Sequence, residues 1–186
     1  GRAPAPAPAP ARAPAPPPLR SPVLLTVSGS IKRHNRGALD PVVDQMAHKH
    51  GLAFEQAFGF DAAALANLPT ETIQPTLEYD GKPHTLAGPT LEMVLASVGI
   101  APGQPGVQLT LYAVDGYRVE ISLAEVREQR MILATRIDGQ TMALGGFGPV
   151  WAVVDADRVA ALKDKPLAER FQRCPWGLYH VDVRLA

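Results

Sequence analysis

Cysteine is almost absent from this chain of 186 residues, which contains only Cys174. A single cysteine excludes an internal disulfide framework, and it also excludes structural zinc sites of the Cys₄ or Cys₂His₂ type. The low cysteine content is compatible with an exported bacterial protein, although many cytosolic proteins share it. Because the chain begins with Gly1 rather than methionine, we expect a processed or recombinant product, from which any signal peptide would already be gone.

Neither sign of charge is in excess, and long apolar runs are missing. Lys and Arg number 18, and Asp and Glu also number 18. Nucleic-acid binding depends on a basic excess or a basic stripe, so this composition argues against a nucleic-acid partner. No uninterrupted apolar run reaches the roughly 18 residues that a membrane-spanning helix requires. We therefore expect no membrane-spanning segment.

Proline, by contrast, is abundant and unevenly distributed. Pro and Ala alternate over residues 3–10 and again over 12–18. Proline fixes φ and removes the backbone donor, so residues 1–22 are predicted to form a disordered, extended linker. Such a linker would tether a folded domain, residues 23–186, to a membrane or an export signal, with the protein in the periplasm or secreted. A solvated tail without a role is the alternative.

The remaining sequence predicts an α+β fold with a mixed sheet and short helices. Strands are predicted at 23–27, 72–78, 107–114, 117–121, 131–135, 150–154 and 178–185. Helices are predicted at 58–68 with Asp61 as N-cap, at 91–98, at 123–129 after a capping box at Ser122, and at 158–171 with an interruption at Pro166. Residues 38–57 have no clear period. Because strands and helices do not alternate with regular βαβ spacing, the class is α+β rather than α/β.

Residues 131–154 carry the most informative pattern in the chain. An apolar run is followed by Asp138-Gly139, a strong turn signal, and a glycine-rich loop at 145–148 then leads into a second apolar run. Glycines in such a loop are typical of a place where another group approaches the backbone closely. The segment is therefore predicted to be two strands joined by a loop of functional interest.

Several short motifs, each weak alone, resemble a known family in their order and spacing. They are Leu25-Thr26-Val27-Ser28-Gly29, Phe60-Asp61, Tyr79-Asp80-Gly81, Gly88-Pro89-Thr90-Leu91, Ala134-Thr135-Arg136 and Gly148-Pro149-Val150-Trp151. Together they resemble the molybdopterin-binding domain of oxidoreductases with the sulfite-oxidase-type fold. The resemblance implies a mixed, barrel-like β-sheet core with short helices. Residues 38–57 form an insert that the family pattern does not lead us to expect.

The chain departs from that family at two places that matter for catalysis. The resemblance implies a molybdenum-ligating cysteine at or near Thr76, but residues 73–78 contain none, and a threonine hydroxyl is a poor substitute for a soft thiolate. It also implies basic residues that hold the pterin phosphate before the last strand, yet 176–180 has neither Lys nor Arg, although Arg173 and Arg184 flank it. We therefore interpret the chain as an exported, non-catalytic binding module with no cofactor expected. A molybdopterin-dependent oxidoreductase with altered metal ligation is the alternative, so enzymatic activity stays an open question.

The predicted binding region is a groove formed by Thr76, Tyr79, Arg136 and the loop glycines Gly145, Gly146 and Gly148. Arg136 closes a strand beside the loop and is a candidate for contacting an anionic ligand, although a surface ion pair explains it equally well. The loop lacks the Lys-Ser/Thr pair of a P-loop, which weakens any prediction of a phosphate cradle. A small ligand or a protein is predicted as the partner, with molybdopterin as the ligand under the alternative.

Two further side-chain groups are weaker candidates. His48 and His50 lie two residues apart and would share one face of an extended segment, where they could bind Zn²⁺ or Cu²⁺. A mobile polar loop explains the pair as well, so no metal site is predicted. Cys174 follows Arg173, which would favour a reactive thiolate, whereas Pro175-Trp176 beside it favours a buried structural cysteine.

Overall fold

The structure is a computed structural model that describes residues 1–8, 19 and 21–186. Most of the predicted linker, residues 9–18 and 20, lies outside the described residues, so its conformation stays a prediction. Residues 1–8 are exposed and belong to no helix or strand. Within the described part of the chain, no helix combines the length and the apolar character needed to cross a membrane.

A five-stranded sheet forms the centre of the fold. Its strands are β1 (Leu25–Gly29), β2 (Ala57–Phe60), β5 (Val107–Ala113), β6 (Arg118–Ser122) and β11 (Leu178–Leu185). The order is β2-β1-β11-β5-β6, with β1 and β11 parallel and the other pairs antiparallel. The predicted strand at 178–185 is confirmed, and it lies in the middle of the sheet rather than at an edge.

Two smaller sheets are built largely from the segment 131–154. One pairs β7 (Ile132–Ala134) with β10 (Trp151–Val153) in antiparallel register. The other joins β3 (Glu71–Ile73), β4 (Leu86–Gly88), β8 (Arg136–Ile137) and β9 (Gln140–Thr141) in that order. Both predicted strands of this segment are confirmed, and they pair with each other. The connection between them is more than a loop, because it contributes β8 and β9 to a separate sheet.

Four short helices complete the regular structure: α1 (Gln45–Lys49), α2 (Ala62–Ala66), α3 (Leu91–Ser97) and α4 (Leu123–Glu128). The predicted N-caps Asp61 and Ser122 are confirmed, since their side chains accept hydrogen bonds from backbone N–H groups three residues further along. Mixed sheets with few, short helices confirm the predicted α+β class.

One continuous apolar core is enclosed by the sheets and by α3 and α4. Alternate residues of the central strands point into it, among them Val27, Leu109, Leu111, Val181 and Val183, all fully buried. The fully buried strand β10 contributes Trp151 to the same core. This core fixes β10 rigidly, and β10 is the strand that follows the glycine-rich loop.

Two predicted helices are wrong over much of their length. At 58–68 the helix begins only after Asp61, because the preceding residues form β2, which pairs with β1 and buries Phe60. At 158–171 the structure has only short 3₁₀ turns, Ala156–Arg158 and Leu167–Glu169. Proline at the start of the second turn lacks the N–H that a continuous helix needs there. The predicted strand at 72–78 is also shorter, since β3 ends at Ile73.

The insert at 38–57 packs against the face of the central sheet opposite the core. It contains only the five-residue helix α1, and an ion pair fastens it, with the Arg36 guanidinium 2.6 and 2.9 Å from the two carboxylate oxygens of Asp44. Further along, the Phe54 ring stacks on His180 of β11 at 5.7 Å between centroids. The insert therefore covers a polar face of the sheet that includes the buried residues Ser28 and His180.

Candidate functional site

Thr76, at the position where the resemblance implies a metal-ligating cysteine, is bound to a carboxylate of the protein itself. Both its backbone N–H and its hydroxyl donate to the same oxygen of Asp157, each at 2.9 Å. Arg170 donates to the other oxygen of Asp157 at 3.2 Å. The Thr76 hydroxyl proton is therefore committed to a charge-assisted hydrogen bond inside the protein.

Tyr79 belongs to an aromatic cluster that includes the residue at the centre of the glycine-rich loop. Its ring lies 5.2 Å from that of Phe147, and Phe147 stacks on Trp151 at 4.4 Å with an angle of 11° between the planes. Offset-stacked rings at these distances attract one another beyond simple area burial. The structure thus brings Tyr79 and the predicted loop together, through Phe147 rather than through the glycines.

The loop needs glycine at different positions for different structural reasons. Gly145 has a φ of +101°, which side chains rarely adopt. At Gly148 a Cβ atom would lie 2.1 Å from the Met142 carbonyl oxygen, so the group that approaches this backbone closely is the chain's own carbonyl. The constraint is weaker at Gly146, because an added Cβ atom would lie 3.4 Å from the nearest other atom. The need for glycine at Gly145 and Gly148 is met within the fold, without a ligand.

Arg136 contacts its own hairpin. Its guanidinium donates to the carbonyl oxygen of Gly139 at 3.2 Å, and the side chain is exposed on β8. Among the hydrogen bonds of the described residues, none links it to Thr76 or Tyr79. The same turn is fixed by Asp138, whose carboxylate binds the His84 ring at 2.7 Å. Asp80 binds the other ring nitrogen of His84 at 2.6 Å, which raises the pKa of the imidazole further.

A cavity of about 260 Å³ opens beside Tyr79, and we call it the aromatic cavity. Its described lining consists of Tyr79, Ala113, Asp115, Tyr117, Phe171, Gln172, Cys174, Pro175 and Trp176. Three of these are unusually exposed for their size, at 51% for Tyr79, 49% for Tyr117 and 37% for Trp176. No other Phe, Tyr or Trp among the described residues is exposed to this extent. The exposed aromatic surface of the described protein is therefore concentrated at one cavity.

Separate parts of the chain position these side chains. Tyr117 follows the turn between β5 and β6, and its hydroxyl donates to the carbonyl of Gln172. Trp176 lies just before β11, where it forms a bridge with Trp151 of β10. Reasoning from the sequence found Tyr79 but missed Tyr117 and Trp176 as binding residues. The available signal was an aromatic residue directly after a turn motif, at Asp115-Gly116 and at Pro175.

Two titratable groups in the lining of the aromatic cavity, Tyr79 and Cys174, are held in their uncharged forms. Burial, with the neighbouring Glu78 carboxylate, raises the pKa of Tyr79 to about 12, although Trp176 acts in the opposite direction. Burial also raises the pKa of the Cys174 thiol to about 12. This supports the structural interpretation of Cys174, since the thiol, rather than the reactive thiolate, predominates at neutral pH.

The predicted histidine pair is separated by its contacts. His50 shares a hydrogen bond of 2.6 Å between Nδ1 and the Tyr179 hydroxyl, while His48 lies on α1. Across the part of the chain that the structure describes, no three His, Cys, Asp or Glu side chains are grouped so that they could hold a metal ion.

A larger cavity, of about 950 Å³, lies between β3, α3, α4 and the residues after β10. Charged side chains of both signs line it, and two pairs of them lie close together: Arg127 is 3.9 Å from Glu92, and Arg158 is 3.8 Å from Asp155. No aromatic side chain is among the described residues of its lining. Its size therefore exceeds that of the aromatic cavity, but it lacks comparable groups for recognition.

The residues in place do not fit the molybdenum cofactor that the resemblance implies. Neither the hydrogen-bonded Thr76 hydroxyl nor the buried Cys174 thiol supplies a thiolate at neutral pH. Of the two flanking arginines, Arg173 donates to a backbone carbonyl of β6 and a carboxylate of α4, and Arg184 lies 4.0 Å from a carboxylate of β6. His180 is buried, and its pKa is lowered to about 4, so it offers no positive charge to a phosphate.

Comparison with known proteins gives a distant structural relative. No protein-family model matches the chain. No curated protein matches it either. Among solved structures, the sulfane dehydrogenase SoxCD from Paracoccus pantotrophus is similar, with a TM-score of 0.54 and 14% sequence identity over 86% of this chain. The chain spans 37% of the length of that relative. The likeness supports a distant molybdopterin-oxidoreductase-like fold and nothing more specific.

Proposed function

We propose that this chain is a binding module for a small ligand, built on an oxidoreductase-like scaffold and without redox chemistry of its own. The observation that carries the proposal is the convergence of Tyr79, Tyr117 and Trp176 on one cavity while each remains between 37% and 51% exposed. Large aromatic side chains left partly in water are enriched at recognition sites, where a partner covers them.

The size of the aromatic cavity favours a small partner. Pockets for drug-sized ligands typically enclose about 300–1,000 Å³, whereas this one has about 260 Å³. It is backed by Phe147 and Trp151, which the core holds in place, so its wall is preformed. A preformed wall lowers the conformational entropy lost on binding.

The absence of redox chemistry is proposed from the chemistry of the candidate ligand atoms. Thr76 is committed to the Asp157 carboxylate, which is itself paired with Arg170. Opening the position to a metal would break the two hydrogen bonds that Thr76 donates to this partly buried carboxylate, which costs free energy. We also propose that the module is exported to the periplasm or secreted, with the Pro/Ala-rich segment 1–22 as its tether.

A molybdopterin-dependent oxidoreductase with altered metal ligation is the second candidate. The distant fold likeness to a dehydrogenase favours it. It requires that the oxygen of Thr76, or a group that moves on cofactor binding, replaces the thiolate.

Metal and pterin analysis tests the two candidates against each other. The full chain is produced in a host that makes the molybdenum cofactor, beside a catalytic member of the resembled family as positive control. Under conditions that load the control, we expect neither molybdenum nor released pterin with this chain. Near-stoichiometric molybdenum would overturn the proposal in favour of the oxidoreductase.

A pair of variants at one position sharpens that test. Thr76→Cys supplies the missing thiol, and Thr76→Ser retains the hydroxyl as a matched control. We expect both variants to be free of molybdenum, because the phosphate-binding residues are also missing. Loading of Thr76→Cys but not of Thr76→Ser would show that the pterin site persists, contrary to the proposal.

A further inference from the structure

We propose that the aromatic cavity binds a small organic ammonium ion. This inference deepens the proposed function and rests on it, because it takes the aromatic cavity to be the ligand site. It commits to a positively charged ligand, which is opposite in sign to the anionic ligand predicted from Arg136 and the glycine-rich loop.

The aromatic walls supply the first argument. The faces of Tyr and Trp rings carry negative electrostatic potential and attract cations, with Trp as the strongest partner. Tyr79, Tyr117 and Trp176 expose their rings at the same cavity. Rings from three separate segments of the chain can contact different sides of one compact cation, whereas a flat neutral ligand would use two faces at most.

The charges around the cavity supply the second argument. Asp115 is exposed in its lining, and Glu78, the neighbour of the lining residue Tyr79 in the sequence, is a second acidic residue close by. None of the described lining residues is Lys, Arg or His. A carboxylate in a lining that has no Lys, Arg or His among its described residues favours a cation and disfavours an anion.

Two arginines that adjoin lining residues in the sequence are held by other groups, and the His50 ring, whose Nε2 lies 3.7 Å from the Cβ position of Gly116, is bonded through Nδ1 to the Tyr179 hydroxyl. Arg173 donates to the backbone of β6 and to Glu125 at 3.1 Å. Arg118 lies over the Tyr112 ring at 4.8 Å and donates to the carbonyl of His50. These contacts engage both guanidinium groups, and neither arginine is among the described lining residues of the aromatic cavity.

Choline and its neutral isostere, 3,3-dimethylbutan-1-ol, separate charge from shape. Both are titrated into ¹⁵N-labelled full chain, and amide and indole shifts are followed by NMR. We expect choline to bind more tightly than the alcohol and to shift the Trp176 indole and the backbone around Asp115. Equal affinity for the two compounds, or shifts that lie away from the cavity, would overturn the inference.

Substitutions then test the two arguments separately. Tyr79→Leu removes one ring and is expected to weaken choline binding by about two- to fivefold. Asp115→Asn keeps an oxygen that can accept from the Tyr117 N–H, as Asp115 does at 2.9 Å, and is expected to weaken choline binding by up to about fivefold. Asp164→Asn, at an exposed site outside the cavity, is the matched charge control and leaves affinity unchanged. If Asp164→Asn weakens binding as much as Asp115→Asn, the effect is one of net charge and the inference fails.

A vesicle-binding experiment shows whether the ammonium group belongs to a free small molecule or to a lipid headgroup. Phosphatidylcholine vesicles are compared with phosphatidylglycerol vesicles in a sedimentation assay with wild type and Tyr79→Leu. Binding of free choline alone, or of phosphatidylcholine as well, supports the inference when it depends on Tyr79, and the pattern tells whether the ligand is free or a lipid headgroup. Binding of neither choline source overturns it.

The proposed function is tested separately from the ammonium inference. If the neutral alcohol binds at the aromatic cavity and choline does not, the site is a ligand site of different chemistry, and only the ammonium inference fails. Molybdenum loading, measured as described above, refutes the proposed function itself.

Discussion

His180 gives the sharpest quantitative prediction, because the centre of the sheet holds it in its neutral form. Its Nε2 lies 2.7 Å from the Ser28 hydroxyl, and the rings of Phe54 and Tyr112 lie against it at 5.7 and 5.8 Å. Desolvation, together with the positive charge of Arg36, lowers the pKa of His180 from 6.5 to about 4, while the Asp44 carboxylate acts in the opposite direction.

This depressed pKa makes folding sensitive to mild acid. Because the unfolded chain binds a proton near pH 6.5 and the folded chain only near pH 4, the stabilisation is complete above 6.5 and is lost as the pH falls toward 4. From these two pKa values, the His180 contribution to the free energy of unfolding falls by about 2 kcal/mol between roughly pH 7.5 and roughly pH 5.

Urea unfolding at a series of pH values measures this loss. His180→Gln retains a polar group that can bond to the Ser28 hydroxyl but does not titrate, and we expect its unfolding free energy to fall by about 2 kcal/mol less than that of wild type over the same range. His48→Gln, on the outer helix α1, serves as the control and should follow wild type. If His180→Gln and wild type lose the same free energy between these pH values, the assignment to His180 is refuted.

Three further predictions concern stability at other positions, each measured from urea unfolding midpoints. Gly148→Ala should destabilise the fold by more than about 2 kcal/mol, because the added Cβ would lie 2.1 Å from the Met142 carbonyl oxygen. Gly146→Ala is the control and should be tolerated. Equal losses of stability in the two variants would contradict this prediction. Arg130 follows α4 with a φ of 52°, so Arg130→Gly should stabilise by about 0.5–1 kcal/mol, and a loss would argue against strain there. Asp138 and Asp80 raise the pKa of His84, so the protonated imidazole stabilises the folded state. The free energy of unfolding of wild type should therefore exceed that of His84→Gln most below pH 6.5 and least at alkaline pH. A difference that does not change with pH would refute this prediction.

The elements predicted correctly are those that local chemistry determines. The helix at 91–98 and the helix at 123–129 have apolar residues at helical spacing after a capping side chain, and both form with small shifts of their ends. The strand at 178–185 has a period of two, and it forms over the same residues. In these cases propensity, patterning and turn residues agree with the final packing.

The incorrect elements depend on partners that are distant in sequence. Residues 57–60 have no strong strand signal, but they pair with β1 and place Phe60 in the core, so pairing outweighs local propensity. The stretch 158–171 has helix-forming residues, yet only a few of its side chains are buried, and it forms isolated 3₁₀ turns. Helices of this length gain most of their stability from packing, which this stretch lacks.

The candidate site could be predicted only in part from the sequence, because its residues also come from distant parts of the chain. Tyr79 and the loop before β10 were predicted together, and ring contacts with Phe147 connect them. Tyr117 and Trp176 reach the aromatic cavity from two other parts of the chain, and no spacing rule relates the three. Gly148 was predicted to contact a ligand, whereas the group that lies close to it is the Met142 carbonyl. The groove prediction that includes Thr76 and Arg136 stays a prediction.

The position of β11 has a consequence for how the chain folds. β11 is the partner of β1, and the Ser28–His180 hydrogen bond joins residues 152 positions apart. During synthesis β1 has only β2 beside it until β11 emerges, so the central sheet cannot close before then. Topologies that depend on such distant pairing fold slowly. A fragment that stops before residue 178 would therefore lack the strand that joins its two halves, and should remain unfolded rather than form a smaller stable domain.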